Sequence, residues 1–357
     1  MEGVPDDIIS KAHGLISSLN QCGLIKKKDI LHFMSALCNS RDDGETLAPK
    51  YLNDSVDPNL SSSSSPSLHP KDAVGQYSGN LTRPVIRSLS NGLITSLILD
   101  GTKIPNGLKT SLHDALMSGA CGMEKLSMQA CDFGGSIDLK DICGRHEHLT
   151  VINFARCQEL IGDLQVLANL VHLKEVNLEN CKKITGDLQA LASLVHLKEL
   201  MLNGCRNVTG SLQVVTRFVH LKVVRLDGCE KITGDLIALS SLALLVRMGF
   251  GGCKNITGNL DVLRSLVHLE KVGVAGCKKI TGDLDVFTSL VHQNIVGLNG
   301  CKNITGNLQI LASLVHLKRV YLGECKNVNG DLQVLTSLVH LEVIALGGCK
   351  NITGDLQ

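Results

Sequence analysis

Cysteine and histidine recur along this chain with a regularity that invites metal chemistry. Cysteine stands at Cys131, and then from Cys157 every 24 residues to Cys349; histidine stands at His148, His172, His196, His220, His268, His292, His316 and His340. Thiolates and imidazoles are the usual ligands of zinc. Their spacing argues against that use. His172 precedes a strand-like stretch and Cys181 follows it. At about 3.3 Å per extended residue the two stand up to ~30 Å apart, against metal–ligand bonds of about 2.0–2.3 Å. Leu244 occupies a place where a histidine is due, so no single imidazole is indispensable. A stacked, partly exposed histidine column is the expected role, with a pH-sensitive stability because neighbouring imidazoles resist joint protonation.

Other reactive arrangements are missing. There is no G-x-x-x-x-G-K-[ST] phosphate loop, no G-x-S-x-G elbow and no H-E-x-x-H pair in the sequence. Acids recur behind glycine at Asp163, Asp187 and Asp235, but Ser211, Asn259 and Asn307 take equivalent places. That interchange suits a turn or helix cap and not acid–base catalysis. The reading is therefore not an enzyme, with no catalytic residue, no cofactor and no metal.

The elements that position these columns come from internal repetition. Gly followed one residue later by Leu occurs at Gly162, Gly186 and Gly210, and so on in steps of 24 to Gly354 without an insertion. In the unit 173–196 the apolar positions are Leu173, Val176, Leu178, Ile184, Leu188, Leu191 and Leu194. Alternation in Val176-Asn177-Leu178 predicts a short strand with two aliphatic side chains inward and Asn177 outward. Strands of successive units then pair in parallel at ~4.8 Å. One unit cannot shelter its own leucines, and stacking completes the core. Gly186 and its equivalents are expected where a turn needs positive φ or close backbone packing. The i, i+3 spacing of Leu188, Leu191 and Leu194 predicts a 3₁₀ or α turn on the convex side.

The run Leu173, Val176, Leu178, Cys181, Ile184 resembles the leucine-rich repeat family, L-x-x-L-x-L-x-x-N/C-x-L, with one extra residue after the cysteine. Thr185-Gly186-Asp187-Leu188 is similar to the plant-type class, although Gln189 stands where that class has proline. The likeness covers 162–353 strictly and about 94–161 loosely. It implies an α/β fold, a right-handed curved solenoid with a parallel β-sheet on its concave face. It also implies that the cysteine column bonds loop backbone as a ladder of buried thiols. Stacking at ~4.8 Å leaves disulfides between neighbouring units sterically open.

Four segments follow. Residues 1–39 carry two amphipathic stretches around Gly23 and read as a helical hairpin. Residues 40–75 are a flexible Ser/Pro-rich linker, residues 76–125 an N-terminal cap with degenerate repeats, and residues 126–357 the solenoid, whose last repeat is truncated at Gln357. The chain is expected to be either a piece of a longer protein or one whose last repeat meets another molecule. Lys+Arg 35 against Asp+Glu 34, with Trp 0, Tyr 3 and Phe 6, gives no field or ring supply for nucleic acid. No run reaches the length of a membrane span. An acidic start without a basic-then-apolar leader, and 14 Cys read as thiols, point to the cytoplasm.

Ligand contact is expected where the repeats differ from one another. The concave positions of the strands read Glu175, Glu199, Val223, Arg247, Lys271, Ile295, Arg319 in one column and Asn177, Met201, Arg225, Gly249, Gly273, Gly297, Tyr321 in the next. Core positions stay aliphatic throughout. Acids, with Glu179 and Asp227, gather toward the first coils, and Arg225, Arg247, Lys271 and Arg319 follow them. Glu175, Asn177, Glu199, Met201, Arg225, Arg247, Lys271, Arg319 and Tyr321 are therefore the candidate contacts of a protein or peptide partner, with the three glycines forming a trough. Leucine-rich repeat proteins mostly bind proteins, so the resemblance implies a non-catalytic interaction scaffold. The alternatives are a substrate receptor of a ubiquitin ligase, which needs an F-box-like segment that residues 5–39 lack at their start, and a fragment of a receptor ectodomain.

Overall fold

The computed structural model describes residues 76–118 and 122–354. The hairpin expected over 1–39 and the linker over 40–75 lie outside the described residues. Twelve three-residue strands, from Gln76–Ser78 to Val343–Ala345, form one parallel sheet in chain order. Register is one coil to the next: Glu175 faces Glu199, Val176 faces Leu200, and Asn177 faces Met201. A constant 24-residue unit carries that pairing forward without slippage, so each side-chain position becomes a straight column. The middle residue of a strand is buried and its two neighbours face outward, as with Val176 between Glu175 and Asn177. The segment 76–125 contributes the strands Gln76–Ser78, Ser96–Ile98 and the start of Lys125–Ser127 to this same sheet.

The first coils close with helices Arg83–Ser90, Lys109–Met117 and Leu139–Cys143. Later coils close with 3₁₀ turns such as Leu212–Arg217 and Leu260–Ser265, as the leucine spacing predicts. Each turn is capped from the acid, Ser or Asn position. Asp187 accepts a hydrogen bond from Gln189 N at 2.8 Å, Ser211 from Gln213 N at 3.2 Å and Asn259 from Asp261 N at 2.9 Å. The interchange among three residue types is thus explained, because all three supply a cap oxygen. No helix among the described residues is long and apolar enough to cross a membrane.

A second parallel sheet of ten strands, from Ile137–Asp138 to Asn351–Thr353, runs beside the first. Gly186, expected in a turn that needs positive φ or close backbone packing, lies instead within the strand Lys183–Asp187 of this sheet. Gly186 shows how the strand forms. Its φ is +111°, and a Cβ would come within 2.5 Å of Asp163 Oδ1 and 2.8 Å of Leu164 N. Both a left-handed backbone and a close approach are required, so the capping acid of one coil packs against the glycine of the next. Side chains reinforce the ladder: Thr185 Oγ1 donates to Gly162 O (3.2 Å), and Asn303 Nδ2 donates to Lys278 O (2.9 Å).

The core is a continuous file of apolar side chains. Leu173, Val176, Leu178, Ile184, Leu188, Leu191 and Leu194 are fully buried, each stabilising the stack by about 1.5–3 kcal/mol relative to exposure. Beside them run the cysteines. Cys131 to Cys325 along the column are free and buried, and Cys349 is half-buried. Cys205 Sγ donates to Leu178 O at 3.0 Å, and Cys181 N donates to the same oxygen at 3.0 Å. The pattern repeats at Leu202 O, which takes Cys205 N and Cys229 Sγ. From Leu99 to Leu322 the strand-end carbonyls therefore use both lone pairs, one within the coil and one toward the next. At the start of the column Thr102 takes the cysteine's place, but its Oγ1 donates at 2.7 Å to Leu99 O of its own coil, the carbonyl that also accepts Cys131 Sγ.

Gln293 is one irregularity in the core. It sits in the column of Leu245, Leu269 and Leu317, is fully buried, and donates Nε2 to Leu269 O at 2.5 Å. Its Oε1 finds no partner.

Two outcomes follow. Gln293→Leu is expected to raise stability by about 1–2 kcal/mol, because a buried unpaired oxygen is removed; a denaturant midpoint at or below that of the parent chain would contradict this. Stability is also expected to fall with rising pH above pH 9. Burial pushes the thiols of Cys181, Cys205 and Cys229 from 9.0 up to about 12. Below pH 9 both folded and unfolded chains hold these protons and the column contributes fully. Above it the unfolded chain releases protons that the folded chain retains, which favours unfolding. Denaturation midpoints measured between about pH 8 and about pH 11 check the slope.

Candidate protein-binding surface

The concave sheet face is built by the first and third residue of every strand, which the fold turns away from the core. Glu175, Glu199, Arg247, Lys271 and Arg319 occupy first positions, and Asn177, Met201, Arg225 and Tyr321 third positions. All nine sequence-expected residues therefore lie on one surface and in two columns. Glu175 is directly beside Glu199, and Arg247 directly beside Lys271. Val223 separates the two pairs. Among the described residues none of these four side chains makes an ion pair, whereas Arg319 Nη2 reaches Glu342 Oε2 at 3.5 Å. Like charges opposite one another on neighbouring strands destabilise a sheet, so these two pairs lower the stability of the free fold.

Arg225 behaves differently from the other bases. Its guanidinium lies 3.7 Å from Glu179 Oε2 and 3.8 Å from Asp227 Oδ2. Asn203, which is buried, completes the group when its amide is oriented to satisfy both partners: Nδ2 donates to Arg225 O (2.8 Å), and Oδ1 accepts from Arg225 Nη2 (2.8 Å). Burial pushes the Asp227 carboxyl up, while the Gly251 N–H and the Arg225 charge oppose that shift. Arg225 thus belongs to the acidic part of the surface, already neutralised, and the basic zone proper begins at Arg247. Asn203 carries no signal in the sequence, because its partners come from the neighbouring coil. Asn177 is likewise engaged, its Oδ1 accepting from Glu179 N at 3.1 Å.

The glycine trough is real in register, Gly249 beside Gly273 beside Gly297. Its members differ in cause. At Gly249 a Cβ would run into the carboxylate of Asp227, whose Oδ1 stands 3.1 Å from that point. At Gly273 and Gly297 the nearest atoms would be 3.7 and 3.5 Å away, an ordinary contact. Packing does not require glycine at these two, and they leave bare backbone between Lys271 and Tyr321.

The histidine column lies on the edge where the chain enters each strand. The rings of His148 and His172 are stacked, 6.4 Å apart and 23° from parallel. With His196, Glu124, Thr150 and Lys174 they line a shallow hollow of about 510 Å³. No group of three or more His, Cys, Asp or Glu among the described residues could hold a metal ion.

No protein-family model matches this sequence, and no curated protein matches it either. Solved structures do. A TDR receptor superimposes with a TM-score of 0.50 at 16% identity, over 74% of this chain and 44% of that one. The chain is a leucine-rich repeat solenoid. The solenoid is also similar to the functional domain of InlJ from Listeria monocytogenes, which includes a cysteine ladder (TM-score 0.47, 15% identity, 76% of this chain and 57% of that one). A further similar structure is the leucine-rich repeat ectodomain of the receptor kinase GASSHO1/SCHENGEN3 from Arabidopsis thaliana, at 12% identity and a TM-score of 0.44, covering 78% and 40%. In all three the solenoid spans less than two thirds of the other chain.

Relief of like-charge neighbours is measurable in the free protein. Glu199→Gln and Arg247→Gln are each expected to stabilise the solenoid by about 0.2–1 kcal/mol, read as a higher unfolding midpoint. A lowered midpoint for both would show that these side chains are held by contacts within the fold.

Proposed function

We propose that the solenoid is a non-catalytic binding module that receives a protein or peptide on its concave face. The single observation that carries this reading is the pair of unneutralised like-charge neighbours, Glu175/Glu199 and Arg247/Lys271. A partner relieves both at once if it brings a basic group to the first and an acidic group to the second. Glu199 and Arg247 stand two strands apart, about 10 Å, which an extended peptide crosses in about three residues. Bare backbone at Gly273 and Gly297 admits main chain to close range, and Tyr321 and Met201 offer apolar anchors on either side. Arg225, with its charge already matched, acts in this scheme as a fixed part of the wall.

The same proposal places the protein in the cytoplasm, supported by a column of thiols that work as hydrogen-bond donors and lose that role on oxidation.

The charge-reversed variant Arg247→Glu with Lys271→Glu tests the reading. Both side chains are outward-facing and unpaired, so circular dichroism is expected to match the parent. Affinity purification with mass spectrometry is expected to recover a protein with the parent that is lost with the variant, and the purified partner should bind the variant at least about tenfold more weakly. Identical partner sets and equal affinities would remove the concave face from consideration.

A further inference from the structure

A second charged surface lies on the opposite edge from the histidines, where the chain leaves each concave strand. The residue after each ladder cysteine forms a column: Lys182, Arg206, Glu230, Lys254, Lys278, Lys302, Lys326, Lys350. Packing does not dictate lysine here, since Arg206 and Glu230 occupy equivalent places. Glu230 neutralises Lys254 through a 2.6 Å ion pair. Beyond it Lys278, Lys302, Lys326 and Lys350 are all exposed, and none of the four meets a carboxylate among the described residues. Glu324, the nearest acid along the chain, rests against Gly348 instead.

The backbone beneath this row is fixed. Asn303 Nδ2 donates to Lys278 O (2.9 Å), Asn327 Nδ2 to Lys302 O (2.9 Å) and Asn351 Nδ2 to Lys326 O (3.0 Å). The lysines are therefore held one coil apart, at the spacing of the two parallel sheets that flank them, about 4.8 Å. Four adjacent like charges at that pitch, on a chain whose net charge is only +1, call for a partner with a matching row of anions.

We infer that Lys278, Lys302, Lys326 and Lys350 dock the acidic face of an α-helix lying along the solenoid axis. Pitch selects the helix. Carboxylates at i, i+3 or i+4, i+7 and i+11 advance about 5.4 Å per turn, which drifts from the lysine row by about 0.6 Å a step, within reach of flexible lysine stems. Same-face carboxylates of an extended segment advance about 6.8 Å and fall out of step by a full coil over the row. A membrane surface lacks its second contact here. The exposed valines Val267, Val291, Val315 and Val339 stand before each strand and the lysines after it, so no apolar residue accompanies the row. Single-stranded nucleic acid lacks the ring on which bases stack, because Tyr321 lies on the concave face.

The test uses the full chain and two synthetic peptides of one composition, one with glutamates on a single helical face at i, i+4, i+7 and i+11, the other with them spread around the helix. Fluorescence anisotropy at low ionic strength is expected to show tighter binding of the one-faced peptide. Lys302→Glu with Lys326→Glu should weaken it by about tenfold or more, and the neutral pair Lys302→Gln with Lys326→Gln by less. Arg247→Glu with Lys271→Glu, which removes the same charge elsewhere, should weaken it by much less than the lysine reversal does, which separates this site from the concave one. Equal binding of the two peptides, or parent-like affinity in both lysine variants, would overturn the inference. So would tighter capture of a heparin oligosaccharide or of oligothymidylate that the same lysine variants abolish.

Discussion

From Leu99 to Leu322 the coils of this protein are joined by a strand-end carbonyl and its two donors. Leu178 O accepts the amide of Cys181 within its own coil and the thiol of Cys205 from the next. An unmatched carbonyl in an apolar stack is costly, so the second donor must arrive at one fixed place. The 24-residue units deliver it there, and so do the longer first coils, whose Cys131 and Cys157 reach Leu99 O and Met128 O. The capping oxygens, the glycines against them and the straight side-chain columns are all consequences of that requirement. It also explains why a thiol suffices. Cysteine is small enough for the core and needs to make only one modest bond.

Much of this was legible in the residues. Alternation around Val176 located the concave strand, the leucines located the convex turn, and the interchange of Asp187, Ser211 and Asn259 disclosed a cap. The second sheet was not legible, because its strands run through glycine, and the usual preference against glycine in strands holds only where a side chain fits. At Gly186 none fits. The charge pattern was legible as two columns and misleading at Arg225, whose partners Asn203 and Glu179 come into reach only when coils stack. Residues separated by a whole repeat escape local pattern reading. The lysine row follows the cysteines at the same 24-residue step, and it escaped because a net charge near zero conceals a surface on which like charges are segregated.

The two faces divide the work of the molecule in a physically simple way. Interior positions are nearly invariant from coil to coil, since each must pack against a copy of itself. The concave positions carry no such constraint and hold acids, bases, glycine and tyrosine in turn. The edge after each strand lies between these extremes, with its backbone clamped by Asn207, Asn255, Asn303, Asn327 and Asn351 and its side chains exposed to solvent. A surface of this kind can change its chemistry one column entry at a time while the scaffold remains as it was.

The uninterrupted 24-residue unit has one more consequence. Excising any 24 consecutive residues within the regular array joins two equivalent positions, so the thiol ladder closes again across the junction. Duplicating such a block does the same. The molecule is in this sense a ruler whose length can be revised by whole graduations, and each revision slides the acidic and basic marks relative to one another without disturbing the material on which they are engraved.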